Sequence, residues 1–486
     1  MELKQFFAQD AAGNVVPNAT CHLYLPNTTT YASGLRNASG GALSNPFIGA
    51  ANGLIQFAAP DGFYDLRVVG DATEYTLRVQ LQDPATAQPI ETNLLTKCMF
   101  GALTAVSLSA PYTCQTVMEL ESNFMGLRLG IPNSHTAAVA GVRVSIALLN
   151  AKIPQAWLID NVPSSDWWNC TFSGAASVTL PAQLGPSRPS ITWTDRIELA
   201  SLPRTDGGVR PLIMVRIEIP SGGHRSQPVN GIGEWRLDTA PRYFKSAIQN
   251  VLGVSDKAAY TNTTNSESGV MIPIVQYTSE KAGRQFLISG DSVVEGVGGY
   301  PIGYGPPQRV AYGASTPDYP IEYYNAAIHA QPPHVYHRRI EDLIDIVSPT
   351  DVFYSPYSIN DVPPGAVLTD FAIGRLKSSL AEVLATIRRA KRQPNVILLE
   401  GLPHTSAARP VGTSDLKRVA LNDWYTTLTG VRSAKGYAAA VSAGADASGQ
   451  IQLNSSYTVD GLHLNAIGNA EAALVLRTFV KLPFGN

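Results

Sequence analysis

Four polar side chains in the second half of the chain have the types and spacing that acyl transfer needs. Ser292 ends a Gly-Asp-Ser motif after a short apolar run, and a serine hydroxyl becomes an effective nucleophile only beside a base. His463 can be that base, and Asp460, three residues earlier, can hold the imidazole in the required tautomer. Asn360 carries an amide that can donate to a developing oxyanion. The four residues together predict a hydrolase site with a serine nucleophile.

The elements around these residues predict how they come together. From about residue 271, short apolar strands alternate with helical patterns, which is typical of a parallel sheet with helices on both faces. Ser292 and Asn360 each follow a predicted strand, and His463 precedes the last predicted helix, so all three belong at the carboxyl edge of the sheet. The helix predicted over 366–392 is amphipathic and has Phe371 near its apolar face. The predicted strands cover residues 286–289, 321–328, 351–355, 395–400 and 437–441, and the predicted helices cover 333–347, 366–392, 415–428 and 466–482.

Three motifs in this order make residues 271–486 similar to the SGNH (GDSL-like) hydrolase family. They are Gly-Asp-Ser at 290–292, Ser-Ile-Asn-Asp at 358–361 and Asp-Gly-Leu-His at 460–463. The resemblance implies a three-layer, flavodoxin-like α/β domain with a triad of Ser292, His463 and Asp460. It also implies an oxyanion hole formed by the Ser292 N–H, the Asn360 side chain and a backbone N–H after the second strand, for which the sequence offers Ala327. The family usually has glycine at the positions of Ala327 and Ser358, and alanine in an ordinary backbone conformation can supply the same N–H.

Candidate substrate-binding residues surround the predicted nucleophile. Asp291 precedes it, a glycine-rich loop with Tyr300 and Tyr304 follows it, and Ser358 and His404 lie beyond two other predicted strands. Three histidines between residues 329 and 337 lack the further ligand at fixed spacing that a metal site needs. We therefore predict that these histidines are polar residues on a helix surface, and we predict no metal and no cofactor.

The first 270 residues predict two β-rich modules, 1–95 and 96–270. Period-two alternation between clusters of turn residues indicates a small sandwich in the first, and a sandwich or jelly roll in the second. The first module resembles the small sandwich modules at the start of many bacteriophage tail-fibre and tail-spike proteins, which implies a role in virion attachment or as an adaptor. The second could bind carbohydrate through exposed aromatic residues such as the Trp167–Trp168 pair, although core packing is the commoner role of tryptophan.

Composition narrows the functional classes. The formal net charge is −2, which gives no electrostatic signal for nucleic acid. No apolar run approaches the roughly 20 residues of a membrane span, and the N-terminus lacks the pattern of a signal peptide. The four cysteines form no Cys-x-x-Cys pair, so we predict buried thiols rather than a disulfide framework.

These observations favour a serine esterase that removes acyl groups, with O-acetyl as the favoured group, from a bacterial surface polysaccharide. The expected setting is a phage tail-fibre or tail-spike protein, made in the host cytoplasm and located in the virion tail or at the extracellular target surface. Expected partners are the polysaccharide, other tail proteins and further copies of the chain in a homo-oligomer, with a trimer expected; nucleic acid and membrane are not expected partners. Two alternatives stay open: a receptor-binding fibre protein that binds surface glycan without turnover, and a non-viral esterase acting on lipid or peptidoglycan esters.

Overall fold

The chain divides into two units in the computed structural model, Met1–Pro89 and Ile90–Asn486. In the part of the chain that the structure describes, no helix is long and apolar enough to cross a membrane. All four cysteines lie in this described part, where each is buried and none forms a disulfide bond, as the sequence predicted. The structure describes residues 3–10, 12–60, 62–70, 73–81, 92–99, 101, 103–149, 164–201, 210–228, 244–249, 271–299, 303–361, 368–405, 414–447 and 450–480.

The first unit consists of two antiparallel sheets. Its strands are β1 (Leu3–Phe7), β2 (Thr20–Tyr24), β3 (Phe47–Ile48), β4 (Leu54–Ala58), β5 (Gly62–Val69) and β6 (Glu74–Leu81). One sheet has the order β3-β2-β5-β6, and β1 pairs with β4 in the other. Alternate residues of a strand face the same side, so Leu23 and Leu66 from one sheet and Ile55 and Phe57 from the other meet in one apolar core. The alternation at 62–69 and 74–81 predicted β5 and β6 with these bounds.

The second unit begins with twelve strands in its described part. Leu127 of one sheet and Ile146 and Val215 of another belong to a single buried core. Trp167 is buried, with the Arg216 guanidinium 4.1 Å from its ring centre, whereas Trp168 is exposed. The strands are β7 (Thr92–Lys97), β8 (Leu103–Ser107), β9 (Tyr112–Glu119), β10 (Phe124–Asn133), β11 (Val139–Leu149), β12 (Trp168–Asn169), β13 (Val178–Leu180), β14 (Ser190–Trp193), β15 (Ile197–Glu198), β16 (Leu212–Ile219), β17 (His224–Pro228) and β18 (Phe244–Gln249).

These strands form three sheets or parts of sheets. A six-stranded sheet has the order β12-β11-β16-β9-β18, with β13 also paired to β11. β10 pairs with β14 and β15 in the facing sheet, and β8 pairs with β17. The apolar faces of the first two layers enclose the core described above, because β10 contributes to it from one side and β11 and β16 from the other.

A single strand, β19 (Ile274–Ser289), joins this β-rich part to the part that carries the predicted nucleophile. Residues 274–279 pair antiparallel with β10, and residues 284–289 lie in a parallel sheet with the strands that follow. The boundary predicted near residue 270 therefore separates no compact units, since the hydrogen-bonded ladder of β19 belongs to both sides of it. The boundary predicted near residue 95 falls instead after Pro89.

A buried ion cluster lies at the same junction. Lys97 Nζ of β7 lies 3.2 Å from Glu322 Oε2 and 4.0 Å from Glu121 Oε1, and all three side chains are at most 1% exposed. The Tyr277 hydroxyl donates to Glu322 Oε1 at 2.9 Å. A buried ion that loses its partner is strongly destabilising, so these contacts fix the β-rich part against the parallel sheet.

The parallel sheet has the order β20-β19-β21-β22-β23, which is the flavodoxin-like 2-1-3-4-5 order. Its further strands are β20 (Ile321–Asn325), β21 (Asp351–Tyr354), β22 (Asn395–Leu398) and β23 (Arg432–Ser433), and a hairpin of β24 (Ser442–Ala445) and β25 (Ile451–Leu453) lies beyond it. The helices are α1 (Ser292–Glu295), α2 (Pro306–Ala314), α3 (Pro333–Val347), α4 (Asp370–Arg389), α5 (Ser414–Tyr425) and α6 (Ala466–Arg477).

Helices cover both faces of this sheet. Leu287 of β19 faces the core shared with α3, α4 and α5, whereas its neighbours Phe286 and Ile288 face the core shared with α2 and α6. The two sets alternate along β19 because successive side chains of a strand point to opposite faces. The three layers place the carboxyl ends of the strands at one edge, as the alternation of strands and helices predicted.

Two details differ from the sequence-based expectations. The strand predicted at 437–441 is absent: Ala439–Val441 is a short 3-10 helix, and β23 is the fifth parallel strand. Phe371 is 76% exposed rather than buried, because it lies in the first turn of α4, ahead of the buried stripe that begins at Ala372. Its ring lies near the guanidinium of Arg375 instead.

Candidate active site

The turn after β19 projects Ser292 from the carboxyl edge of the sheet. Asp291 caps α1 by accepting a hydrogen bond from the Val293 N–H at 3.1 Å, so Ser292 becomes the first residue of the helix. Gly290 allows this tight turn, because a Cβ there would lie 2.7 Å from Val294 Cγ2. Gly296 ends the helix with φ 93°, a left-handed conformation that suits glycine. The short helix therefore fixes the serine directly above the sheet.

The structure brings Ser292, His463 and Asp460 into one hydrogen-bonded chain. His463 Nε2 lies 2.9 Å from Ser292 Oγ, and His463 Nδ1 lies 2.6 Å from Asp460 Oδ2. The loop before α6 supplies both Asp460 and His463, and the Asn465 side chain caps that helix by accepting from the Ile467 and Gly468 N–H groups. This order of nucleophile, base and orienting carboxylate is the geometry that serine acyl transfer uses.

Asp460 is held as a carboxylate. Partial burial raises the pKa of its carboxyl, but hydrogen bonds from the His463 N–H, the His463 imidazole and the Leu462 N–H outweigh burial and bring the pKa below its ordinary value. The two backbone bonds measure 2.8 Å and 2.9 Å to Oδ1. An ionised Asp460 can only accept a hydrogen bond, so the proton lies on His463 Nδ1 and the lone pair on Nε2 faces the Ser292 hydroxyl.

The backbone N–H of Ala327 does not fit the oxyanion role predicted for it. It donates to Asn325 Oδ1 at 3.1 Å, and Ala327 is fully buried. The neighbouring Ile328 N–H donates to the Gly290 carbonyl at 2.9 Å. The prediction of Ala327 was wrong because the Asn325 side chain folds back onto its own backbone, a local bond that strand patterning does not reveal.

Ala330 is the better candidate for that donor, although no pattern in the sequence indicated it. Its φ is 55°, in the left-handed region that alanine rarely adopts. Its N–H donates to no acceptor among the described residues. The turn around it is anchored on the nucleophile helix, because the His329 N–H donates to Glu295 Oε2 at 2.9 Å and His329 Nδ1 lies 3.1 Å from the same oxygen. Glu295 thus connects this turn to α1.

Asn360 lies where the Ser-Ile-Asn-Asp motif predicted, in a 3-10 turn beyond β21, but both hydrogens of its amide are donated within the protein. Its Nδ2 donates to the Gln331 carbonyl at 3.2 Å and to Ser358 Oγ at 3.0 Å. The Ser358 hydroxyl in turn donates to the same carbonyl at 3.2 Å. Serine in place of glycine at 358 therefore ties Asn360 to the loop after β20, and donation to an oxyanion requires one of these bonds to open.

Two of the predicted substrate-binding residues line a pocket beside the triad. Asp291 and His404, each at most 5% exposed, line it together with Ser292 and His463. Burial raises the pKa of the Asp291 carboxyl, although its contacts with the Ser358 side chain and the Val293 N–H oppose this rise.

Two other predicted substrate-binding residues, Tyr304 and Ser358, are not among the residues that line this pocket. Tyr304 does not line this pocket: its ring packs 5.3 Å from that of Tyr312, with the Arg309 guanidinium 4.3 Å from its centre. Tyr300 lies outside the described residues. Two lining residues that the sequence did not single out are Glu400, beyond β22, and Tyr437, beyond β23.

The histidines between 329 and 337 form no metal site in the described part of the chain, where no group of three potential ligands is found. His329 is bound to Glu295, and this hydrogen bond raises the pKa of the imidazole. His337 is 5% exposed, so the prediction of a surface position was wrong for it. Burial lowers the pKa of the His337 imidazole.

Comparisons with known proteins find similar structures but no similar sequences. No protein-family model matches the chain, and no curated protein matches it in sequence. A GDSL-like lipase from Bacteroides thetaiotaomicron is 21% identical over 40% of this chain and 87% of its own length, with a TM-score of 0.30. An esterase from Pseudoalteromonas is 16% identical over 40% and 95%, with a TM-score of 0.29. A catalytic mutant of an acetylxylan esterase from Geobacillus stearothermophilus is 14% identical over 40% and 92%, with a TM-score of 0.31.

Proposed function

We propose that this protein is a serine esterase whose nucleophile is Ser292. The observation that carries the proposal is the continuous hydrogen-bonded chain from Ser292 Oγ through His463 to Asp460, with distances of 2.9 Å and 2.6 Å. A serine at the edge of a sheet has no structural need for such a chain. The arrangement supplies the base and the orienting acid that acyl transfer requires.

The reaction proceeds in two steps. Ser292 Oγ attacks the ester carbonyl carbon while His463 Nε2 takes the hydroxyl proton and then gives it to the leaving alcohol oxygen. Asp460 stabilises the imidazolium that forms between these transfers. A water molecule, activated by His463, next attacks the acyl-serine carbonyl and releases the acid. The Ser292 N–H and the Ala330 N–H are our proposed donors to the oxyanion, and Asn360 joins them when its bond to Gln331 or Ser358 opens.

Within this class we propose an O-deacetylase that acts on a bacterial surface polysaccharide. The pocket beside Ser292 has a cavity volume of about 30 Å³, room for about two water-sized groups, which suits a small group of the substrate. The similarity of the first module to phage tail modules supports a tail-fibre or tail-spike protein, with a trimer and other tail proteins as its proposed partners.

One experiment tests the chemistry. Wild-type protein and Ser292→Ala are incubated with p-nitrophenyl acetate and with an O-acetylated bacterial polysaccharide, and released acetate is measured. We expect hydrolysis of both by the wild type and a loss of roughly 10³-fold or more in Ser292→Ala. Equal release by the two proteins would exclude the serine mechanism.

A second candidate, glycan binding without turnover, is favoured by one observation. Both hydrogens of the Asn360 amide are donated within the protein, so this donor is not free to meet an oxyanion. Binding of the polysaccharide by wild type and Ser292→Ala alike, with no acetate release from either, would support this candidate.

A further inference from the structure

Tyr437 has a buried hydroxyl that no described residue satisfies. Its side chain is 1% exposed and lines the same pocket as Ser292 and His463. No hydrogen-bond partner of its hydroxyl is found in the described part of the chain. Buried polar groups in native proteins are nearly always hydrogen-bonded, because an unmet donor is costly. An unmet hydroxyl on a residue that lines the pocket points to a partner that the ligand supplies.

The surroundings of this hydroxyl define the chemistry of that partner. Tyr437 follows β23 in a turn that Glu400 holds in place, since Glu400 Oε2 accepts the Ala438 N–H at 2.9 Å. Burial, together with the charges of Asp291 and Glu400, raises the pKa of Tyr437, so its phenol stays protonated and donates. Glu400 and Asp291 also line the pocket and offer acceptors.

A donor and acceptors in one small space suit a group that can both accept and donate. A hydroxyl does both, whereas a methyl group does neither. The cavity volume of about 30 Å³ has room for a carbon that bears a hydroxyl. The pocket therefore matches one hydroxyl-bearing edge of a larger polyol.

We propose that Tyr437 and Glu400 bind a free hydroxyl of the alcohol part of the ester, and so select esters of polyols such as sugars. Tyr437 donates to the oxygen of that hydroxyl, and the hydroxyl donates to the Glu400 carboxylate. This inference rests on the proposed esterase function and makes Tyr437 a specificity-determining residue. An ester whose alcohol lacks the hydroxyl leaves the Tyr437 donor unmet and is the poorer substrate.

Two substrates and one matched control test this assignment. 1-Acetylglycerol and propyl acetate share a carbon skeleton and differ by two hydroxyls, and their kcat/KM ratio measures hydroxyl recognition. We expect the wild type to prefer 1-acetylglycerol and Tyr437→Phe to lower the ratio about fivefold, the effect of losing one neutral hydrogen bond. Tyr425→Phe is the control, because Tyr425 on α5 is also 1% exposed with an unmet hydroxyl but does not line the pocket. We expect it to keep the wild-type ratio.

A binding measurement separates this inference from the esterase proposal. NMR titration of 1-acetylglycerol into Ser292→Ala and into Ser292→Ala/Tyr437→Phe needs no turnover, and we expect weaker binding to the double variant. If the protein shows no serine-dependent hydrolysis but binding is still weaker in the double variant, the esterase proposal is rejected and the hydroxyl site is retained. An unchanged ratio in Tyr437→Phe, an equal fall in Tyr425→Phe, or equal binding by the two Ser292→Ala proteins would overturn the site.

Discussion

Gly298 is a position where one added carbon should move the proposed base away from the nucleophile. Its φ is +82°, and a Cβ there would lie 2.8 Å from His463 Cβ and 3.1 Å from the Leu464 carbonyl oxygen. Alanine therefore has two separate costs at this position. The left-handed backbone costs about 1 kcal/mol relative to glycine, and the steric overlap must be relieved by a movement of one loop.

The size of that movement follows from the structure. Ordinary contact begins at 3.4 Å, so the 2.8 Å approach must open by 3.4 − 2.8 = 0.6 Å. The overlapping atom is His463 Cβ, whose position fixes the imidazole. If the imidazole moves by this amount, the 2.9 Å distance between His463 Nε2 and Ser292 Oγ becomes 3.5 Å, the outer limit of a hydrogen bond. Since a misplacement of 1 Å can cost about 100-fold in rate, we expect kcat to fall by roughly 10- to 100-fold in Gly298→Ala.

Gly444 provides the matched control. Its φ is +92°, but a Cβ there would meet nothing within 4 Å, so alanine at 444 has only the backbone cost. We measure kcat with p-nitrophenyl acetate and the free energy of unfolding in urea for both variants. Gly444→Ala should lose about 1 kcal/mol of stability and Gly298→Ala at least as much, and only Gly298→Ala should lose rate. A Gly298→Ala enzyme with wild-type kcat, or an equal loss in Gly444→Ala, would refute the positioning argument.

Two further predictions concern charged pairs near the site. In Asp460→Asn the amide can donate to His463 Nδ1 and favour the wrong tautomer of the imidazole. We therefore expect kcat for p-nitrophenyl acetate to fall by roughly 10³–10⁴-fold, with little change in the unfolding midpoint. A loss in kcat below tenfold would contradict the role of Asp460. His329 has a raised pKa through its bond to Glu295, so the stability from this pair is fully present below its ordinary value of 6.5 and is lost as pH rises through the raised value. His329→Asn should therefore lower the free energy of unfolding, measured in urea, by about 1 kcal/mol at pH 6 and by less at pH 9. Equal losses at the two pH values would show that the stability from this pair does not depend on the protonation of His329.

The residues of the triad were accessible to sequence reasoning because their geometry is mostly local. Ser292 needs only a strand that ends on a small residue and a helix that begins at once. Asp460 and His463 lie three residues apart, and a single turn lets one carboxylate accept the backbone N–H and the imidazole of His463. Only the meeting of His463 with Ser292 is long-range, and it follows from both lying at the carboxyl edge of one sheet.

The oxyanion donors and the pocket were not accessible in the same way. Ala327 failed as a donor because of one side-chain bond from Asn325, and Ala330 emerged only from a left-handed backbone that alanine seldom adopts. Tyr437 was predicted within a strand, since tyrosine, valine and alanines in a run resemble one, whereas the chain turns there around Gly436 at φ 91°. Each of these features depends on a contact between distant segments or on a strained turn, and hydrophobic periodicity records neither.

The strand that ends at the nucleophile also explains why the β-rich part cannot be a detachable module. Residues 274–279 of β19 complete the sheet with β10, ten residues before the strand delivers Ser289 to the edge of the parallel sheet. Removing the chain before residue 271 would leave those residues without β7 and β10, and would leave the Glu322 carboxylate buried without Lys97. Both losses would destabilise β19 and the neighbouring β20, the strands that precede Ser292 and the Ala330 turn. The position of the nucleophile therefore depends on the β-rich part as well as on the α/β layers that the three motifs identify.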